Sequence, residues 1–157
     1  MDYQSYLAQI TPALIDAKAI AVGPYDATVA YEEIFKWIWA ATKLKIFSFI
    51  TYSETISKAQ MEEYSSICTD YARANKKGLP IGFQNGIVSN NIIVAESVDD
   101  DAIAFVTARP KKHYCVFEMP IIYDLSKGVL YSYTGEIIWG RAYQSFMKKY
   151  IADKFNI

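Results

Sequence analysis

The chain has 157 residues, a formal net charge of −1, and a composition that is 52% hydrophobic and 21% charged. This length and apolar content exclude intrinsic disorder and predict one domain over residues 1–157, which needs no disulfide or metal to fold. The near-neutral charge argues against nucleic acid as a partner, because phosphate binding needs a surplus of lysine and arginine. The most unusual number is the aromatic fraction of 15%.

Two helical regions are predicted before the first strand. Apolar residues recur at helical spacing from residue 3 to about residue 20, with Thr11-Pro12 as a second helix start inside this region. Residues 22–26 predict a turn. Residues 27–43 predict the second helix, in which apolar side chains cover an arc of about 200°. So wide an arc predicts contact with the core on two sides, or with a partner on one of them.

The middle of the chain alternates between strand and helix patterns. β-branched and aromatic residues at 45–52 predict a strand. A capping box at residues 57–60 begins a helix that is predicted to end near Gly78. Residues 87–95 predict mainly one buried strand, bent or bulged at the polar triplet 89–91, and a small hairpin is the alternative.

The C-terminal part contains one ambiguous element, a hairpin and a final helix. Residues 102–108 fit a short helix and a strand equally well. Residues 113–123 and 129–133 predict two antiparallel strands around a turn at 124–128. Residues 138–154 carry apolar side chains at helical spacing and predict the last helix.

The predicted fold class is α/β, with a mixed sheet and the element order α-α-β-α-β-α-β-β-α. From residue 45 onward this order is similar to that of the thioredoxin fold, with the N-terminal helices packed on it. The redox members of that fold carry a CxxC motif after the first strand, where this chain has Thr51-Tyr52-Ser53-Glu54. The resemblance therefore implies an arrangement of elements and no redox chemistry.

Three further features of the sequence bear on metal binding and on the compartment: the cysteines, an acidic cluster and the first residues. Cys68 and Cys115 are too few for a thiolate metal site. Asp99–Asp101 are candidates for a divalent cation with Glu96, but the helix dipole alone favours acids at a helix start, and we expect no metal. The first residues lack signal-peptide features, and no apolar run approaches the ~18 residues of a membrane span. We therefore expect a cytoplasmic protein without a cofactor.

Glu118 is the most distinctive carboxylate, because it lies within the apolar run 114–122. An acid in such surroundings is a candidate for general acid or base catalysis. The alternatives are a solvated strand face or an ion pair with a cation such as Arg141. Pro120 predicts that the strand is bulged or at an edge nearby, since proline cannot donate to a ladder.

His113 and Cys115 lie two residues apart on the same predicted strand and therefore share a face. They are candidates for a cysteine–histidine nucleophile pair. Side chains at this spacing are about 6.5–7 Å apart, however, and a direct hydrogen bond needs about 3 Å. The preferred interpretation is a buried thiol beside a histidine at the rim, and Cys68 is expected to be inert core.

A basic segment precedes this strand. Arg109, Lys111 and Lys112 flank Pro110, and together with His113 and Arg141 they are candidates for an anion-binding patch. The alternative is an ordinary solvated rim of charges.

Several aromatic residues exceed the needs of one small core and are candidates for an interaction surface. They lie in the predicted helix 27–43 and in the hairpin 123–133: Trp37, Trp39, Tyr123, Tyr131 and Tyr133. The alternative is an aromatic-rich core whose hydroxyl groups reach the rim.

The leading functional hypothesis is a non-catalytic module that binds another protein or a second copy of itself, in a regulatory or neutralising role and without a membrane partner. The alternative is a small enzyme in which Glu118 acts as general acid or base and the segment 109–113 binds an anion. The chain has no glycine-rich phosphate loop, GxSxG elbow or HExxH motif, and this favours the first hypothesis.

Overall fold

A computed structural model describes residues 1–36, 42–76, 85–135 and 141–157 of the chain. Its α-helices are α1 (Tyr3–Ile10), α2 (Lys58–Asn75), α3 (Asp100–Thr107) and α4 (Arg141–Phe155), and a 3₁₀ turn at Thr11–Ala13 follows α1. Its strands are β1 (Lys18–Val22), β2 (Tyr25–Lys36), β3 (Thr42–Ile56), β4 (Asn85–Val98), β5 (Lys112–His113), β6 (Val116–Asp124) and β7 (Val129–Tyr131).

The strands form one mixed sheet in the order β1-β2-β3-β4-β6-β5, with β7 also paired to β6. β2 runs antiparallel to β1 and β3, whereas β3, β4 and β6 are parallel neighbours. The crossovers between these parallel strands contain α2 and α3. A mixed α/β fold is therefore confirmed. The thioredoxin-like arrangement is not confirmed. In the sheet, β6 is the parallel neighbour of β4.

Helices cover the sheet on both sides, which gives three layers. The α2 face is the side on which α2 and α3 pack, over an apolar cluster that includes Phe49 and Ile93. The α4 face is the opposite side, where α1 and α4 pack over a second cluster. On the α4 face the hydroxyl of Tyr6 donates to the carbonyl of Phe155 at 2.8 Å, which joins α1 to the end of α4.

The helix predicted at residues 27–43 is wrong. Residues 25–36 form β2, an inner strand between β1 and β3, and residues 37–41 lie outside the described part of the chain. Ala27 and Val29 point to the α2 face, while Ala30 and Ile34 belong to the α4 face. A strand with both faces covered has apolar residues at successive positions, and on a helical projection these cover the same wide arc.

The first helix is confirmed only over α1. Its N-cap Asp2 accepts a hydrogen bond from the Ser5 amide at 2.7 Å, and the helix ends where Thr11-Pro12 forms the 3₁₀ turn. The helical continuation to residue 20 is wrong, because residues 18–22 form β1, an edge strand. The turn at 22–26 is confirmed as a tight hairpin in which Val22 pairs with Tyr25, and Gly23 supplies the positive φ of 58°.

The middle elements are confirmed apart from one detail. The predicted strand at 45–52 lies inside β3, and Ser57 caps α2 by accepting from the Gln60 amide. The predicted bulge at residues 89–91 is wrong, because β4 pairs without interruption there with both β3 and β6. The end predicted for α2 near Gly78 lies outside the described residues, and the helix itself extends to Asn75.

In the C-terminal part, residues 102–108 resolve as the helix α3. The strand predicted at 113–123 is divided by a turn at Tyr114-Cys115, where Cys115 has a φ of 50°, into β5 and β6. The antiparallel pairing of β6 with β7 and the last helix are confirmed, the latter over the described residues 141–155. No other described residue pairs with the outer side of β6 between β5 and β7, which agrees with the edge predicted near Pro120.

Candidate functional site

Glu118 lies on β6 and is only 4% exposed. Both of its carboxylate oxygens are hydrogen-bonded. Oε1 accepts from the hydroxyl of Ser65 at 2.8 Å, and Oε2 accepts from Nε2 of His113 at 2.6 Å. Among the described residues the ionisable partner of the buried acid is therefore a histidine. The predicted alternative, Arg141, has its side chain outside the described part of the structure.

The contact between His113 and Glu118 follows from the turn at Tyr114-Cys115. The turn brings the chain back on itself, so that His113 pairs with Val116. Glu118 is two residues beyond Val116 and points to the same face, which makes it a diagonal neighbour of His113. That face is the α2 face, so α2 covers the carboxylate while His113 stays at the rim with a quarter of its side chain exposed.

A buried network continues from Glu118 beneath α2. The amide nitrogen of Asn91 donates to the Ser65 hydroxyl at 2.9 Å and lies 3.3 Å from the Thr69 hydroxyl. The Ser89 hydroxyl donates to the amide oxygen of Asn91 at 2.6 Å. All of these side chains are at most 4% exposed. The network satisfies polar groups that would otherwise be costly to bury, and it fixes the carboxylate that orients His113.

Four members of this network were not predicted. Ser65 and Thr69 are four residues apart on the apolar stripe of α2, and Ser89 and Asn91 are two residues apart on β4. The sequence does contain a signal for them. The spacing of four residues on a helix and of two residues on a strand places each polar pair on the face of its element that is otherwise apolar and buried. In β4, the polar triplet 89–91 instead predicts a bend or bulge, because polar residues interrupt an apolar strand pattern.

The arrangement is suited to proton transfer. A carboxylate can only accept, so Nε2 of His113 carries a proton and Nδ1 is the nitrogen that can exchange one with a ligand. Within the described residues, the Glu118 contact is the sole hydrogen bond of the imidazole. A histidine held by a buried acid in this way has the geometry of an oriented general base.

The basic candidates precede His113 in the chain, but Lys112 pairs with Phe117 and therefore directs its side chain to the α4 face, away from His113 and Glu118. Arg109, Lys111 and Lys112 are exposed in and after the segment that links α3 to β5, and His113 follows them directly in the chain. The end of α3 and the start of β6 lie at the same end of the sheet, because α3 returns the chain from β4 to the parallel strand β6. The structure therefore places these cations at the sheet end that carries His113.

The cysteines do not form a nucleophile pair with His113. Cys115 is the last residue of the turn between β5 and β6, so it does not share a strand face with His113 as predicted. Its carbonyl accepts from the amide of Ile87 at 3.0 Å. Cys68 is fully buried on α2, which confirms it as a core residue, and burial raises the pKa of its thiol well above the ordinary range.

The aromatic candidates do not form one surface. Tyr123 is 1% exposed and packs its ring on Tyr6 at 4.3 Å, so it belongs to the core and offers no contact to a partner. Tyr131 is half-buried against the α2 face, and Tyr133 is also half-buried. Trp37 and Trp39 lie outside the described residues.

Comparisons with protein families, with characterised proteins and with solved structures gave no significant match to this chain. Among the helices in the described ranges, none is both long and apolar enough to span a bilayer.

Proposed function

We propose that the protein is a small enzyme that transfers protons through the His113–Glu118 pair on an anionic substrate. The observation that supports this most directly is the fully hydrogen-bonded buried carboxylate beside a partly exposed imidazole. Burying a carboxylate costs several kcal/mol unless its partners are well placed, and such costly groups concentrate at functional sites.

In this proposal His113 accepts a proton at Nδ1 from a water molecule or a substrate hydroxyl. Glu118 stabilises the imidazolium that forms, and the ring then returns the proton to the leaving group. Arg109 and Lys111 hold the anionic part of the substrate by charge-assisted hydrogen bonds. Phosphate esters are the simplest substrate class that combines an anion with a leaving group that needs a proton.

The first test is phosphate binding to the isotopically labelled protein, followed by NMR. Inorganic phosphate is expected to shift the signals of residues 109–113 saturably, and Lys111→Gln is expected to weaken this binding. Lys58→Gln is the matched control, because Lys58 is also exposed but begins α2 at the opposite end of the sheet. Unchanged signals at high phosphate would contradict the proposed anion site.

The second test is hydrolysis of a panel of phosphate monoesters and diesters. His113→Gln and Glu118→Gln are each expected to lower the rate by about 10²–10⁴, the usual contribution of a general base. Glu96→Gln, an exposed carboxylate on the neighbouring strand β4, is the matched control and is expected to keep the wild-type rate. Activity that survives His113→Gln would refute the assignment.

Self-association is a second candidate function, and one observation favours it. β1 is the edge strand of the sheet, and among the described residues nothing pairs with its outer side. We also propose a cytoplasmic location, which agrees with two cysteines that are both free.

A further inference from the structure

The outer edge of β1 is short, at five residues, and carries few of the other features that usually prevent strands from pairing. Residues 18–22 contain no proline and no bulge, and their one charged residue is Lys18 at the strand start. Native edges are usually protected by charges, prolines or bulges along their length. Beyond Lys18, this edge offers its backbone donors and acceptors to another strand.

The hairpin fixes which backbone groups face outward. Val22 and Tyr25 close a two-residue turn and therefore form a hydrogen-bonded pair, as do Ile20 and Ala27 two positions further along. The residues on either side of Ile20, Ala19 and Ala21, direct their N–H and C=O groups away from β2. These groups are the ones available to a partner strand.

We propose that two copies of the chain associate through β1, antiparallel, about a two-fold axis at Ile20. In this register Ala19 of each copy exchanges hydrogen bonds with Ala21 of the other, and the two Ile20 side chains meet on the α2 face. This inference rests on the proposed self-association and specifies its surface, its register and its partner, a second copy of this chain.

Charge complementarity favours a second copy of the chain as the partner at the β1 edge. In this register Lys18 lies opposite Val22 of the other copy, in a close pair that is not hydrogen-bonded. Val22 neighbours Tyr25, whose hydroxyl donates to the Glu63 carboxylate on α2 at 3.0 Å. Lys18 and Glu63 are both exposed in the single chain. The dimer therefore places the ammonium of each Lys18 beside the Glu63 carboxylate of the other copy, twice by symmetry.

The opposite side of β1 leaves room for the second copy. Ala19 and Ala21 are small, exposed residues that point towards α1, and a groove of about 350 Å³ lies between α1 and the β1–β2 hairpin. Its lining includes Leu7 together with Ala19 and Ala21 and is mainly apolar. The two-fold axis brings the α1 helix of each copy towards the groove of the other.

Analytical ultracentrifugation of the whole chain over about 1–100 μM tests this arrangement. The wild-type chain is expected to form a dimer, and Ala21→Pro, which removes an N–H group not used within the sheet, is expected to be a monomer. Ala21→Val keeps that N–H group and is expected to remain dimeric. Circular dichroism of each variant checks that the single chain is still folded.

A charge swap tests the register. Lys18→Glu alone and Glu63→Lys alone are each expected to weaken the dimer by about tenfold or more, because like charges then face each other. The double variant is expected to recover most of the loss. A wild-type monomer at about 100 μM would overturn self-association altogether. A dimer that persists in Ala21→Pro, or a double variant without recovery, would overturn the β1 arrangement and leave self-association standing.

Discussion

Replacing Asn91 with leucine is expected to lower the free energy of unfolding by about 2–4 kcal/mol. Asn91 is the hub of the network under α2, since it accepts from Ser89 and donates towards Ser65 and Thr69. Leucine offers neither group, so buried hydroxyls would lose their partners, and each unsatisfied buried group costs about 1–3 kcal/mol. Urea unfolding followed by circular dichroism measures the change.

The same substitution is expected to reduce the proposed activity of the protein that remains folded. Ser65 would lose the amide that holds it, and the Glu118 carboxylate would lose part of the support that orients His113. Wild-type stability in Asn91→Leu would show that the network does not contribute to the fold, contrary to the contacts described above.

Replacing Asn90 with leucine is expected to have the opposite effect and to raise the free energy of unfolding by about 1–3 kcal/mol. Asn90 is the neighbour of Asn91 on β4, is 1% exposed, and points to the α4 face. Within the described structure neither its amide nitrogen nor its amide oxygen has a hydrogen-bond partner. An apolar side chain of the same branching avoids the cost of burying an unpaired amide.

The two asparagines are controls for each other, because they share the strand, the burial and the residue type. Urea unfolding of Asn90→Leu under the same conditions provides the comparison. Asn90→Val, which is smaller and suits a strand, keeps the prediction testable if leucine is too large for the site. Destabilisation by both Asn90 variants would contradict the description of this amide as unpaired.

The sequence predicts elements best where a local signal and the tertiary environment agree. The Ser57 cap, the start of α2 and the turn at Gly128 each depend on residues that are neighbours in the chain, and each is confirmed. The helix predicted over residues 27–36 is wrong for the opposite reason. Their apolar residues pack against the layers on both faces of the sheet, so the strand forms because of contacts with residues that are distant in the chain.

The site was predictable in part. The apolar surroundings of Glu118 identified it as a buried acid, and His113 was a candidate on its own. Their contact depends on the turn at Tyr114-Cys115, which requires a left-handed conformation in a non-glycine residue and has no strong local signal. The polar residues of α2 and β4 meet only through the βαβ crossover.

The most direct test of the account is the imidazole N–H proton of His113. The chain contains one histidine, so nitrogen-edited NMR of the ring has a single source. In alkaline buffer, where imidazoles are neutral, we predict an observable N–H proton on Nε2, protected from exchange by its bond to the Glu118 carboxylate, and its loss in Glu118→Ala. A proton on Nδ1 instead, or an Nε2 signal that is unchanged in Glu118→Ala, would contradict the His113–Glu118 site.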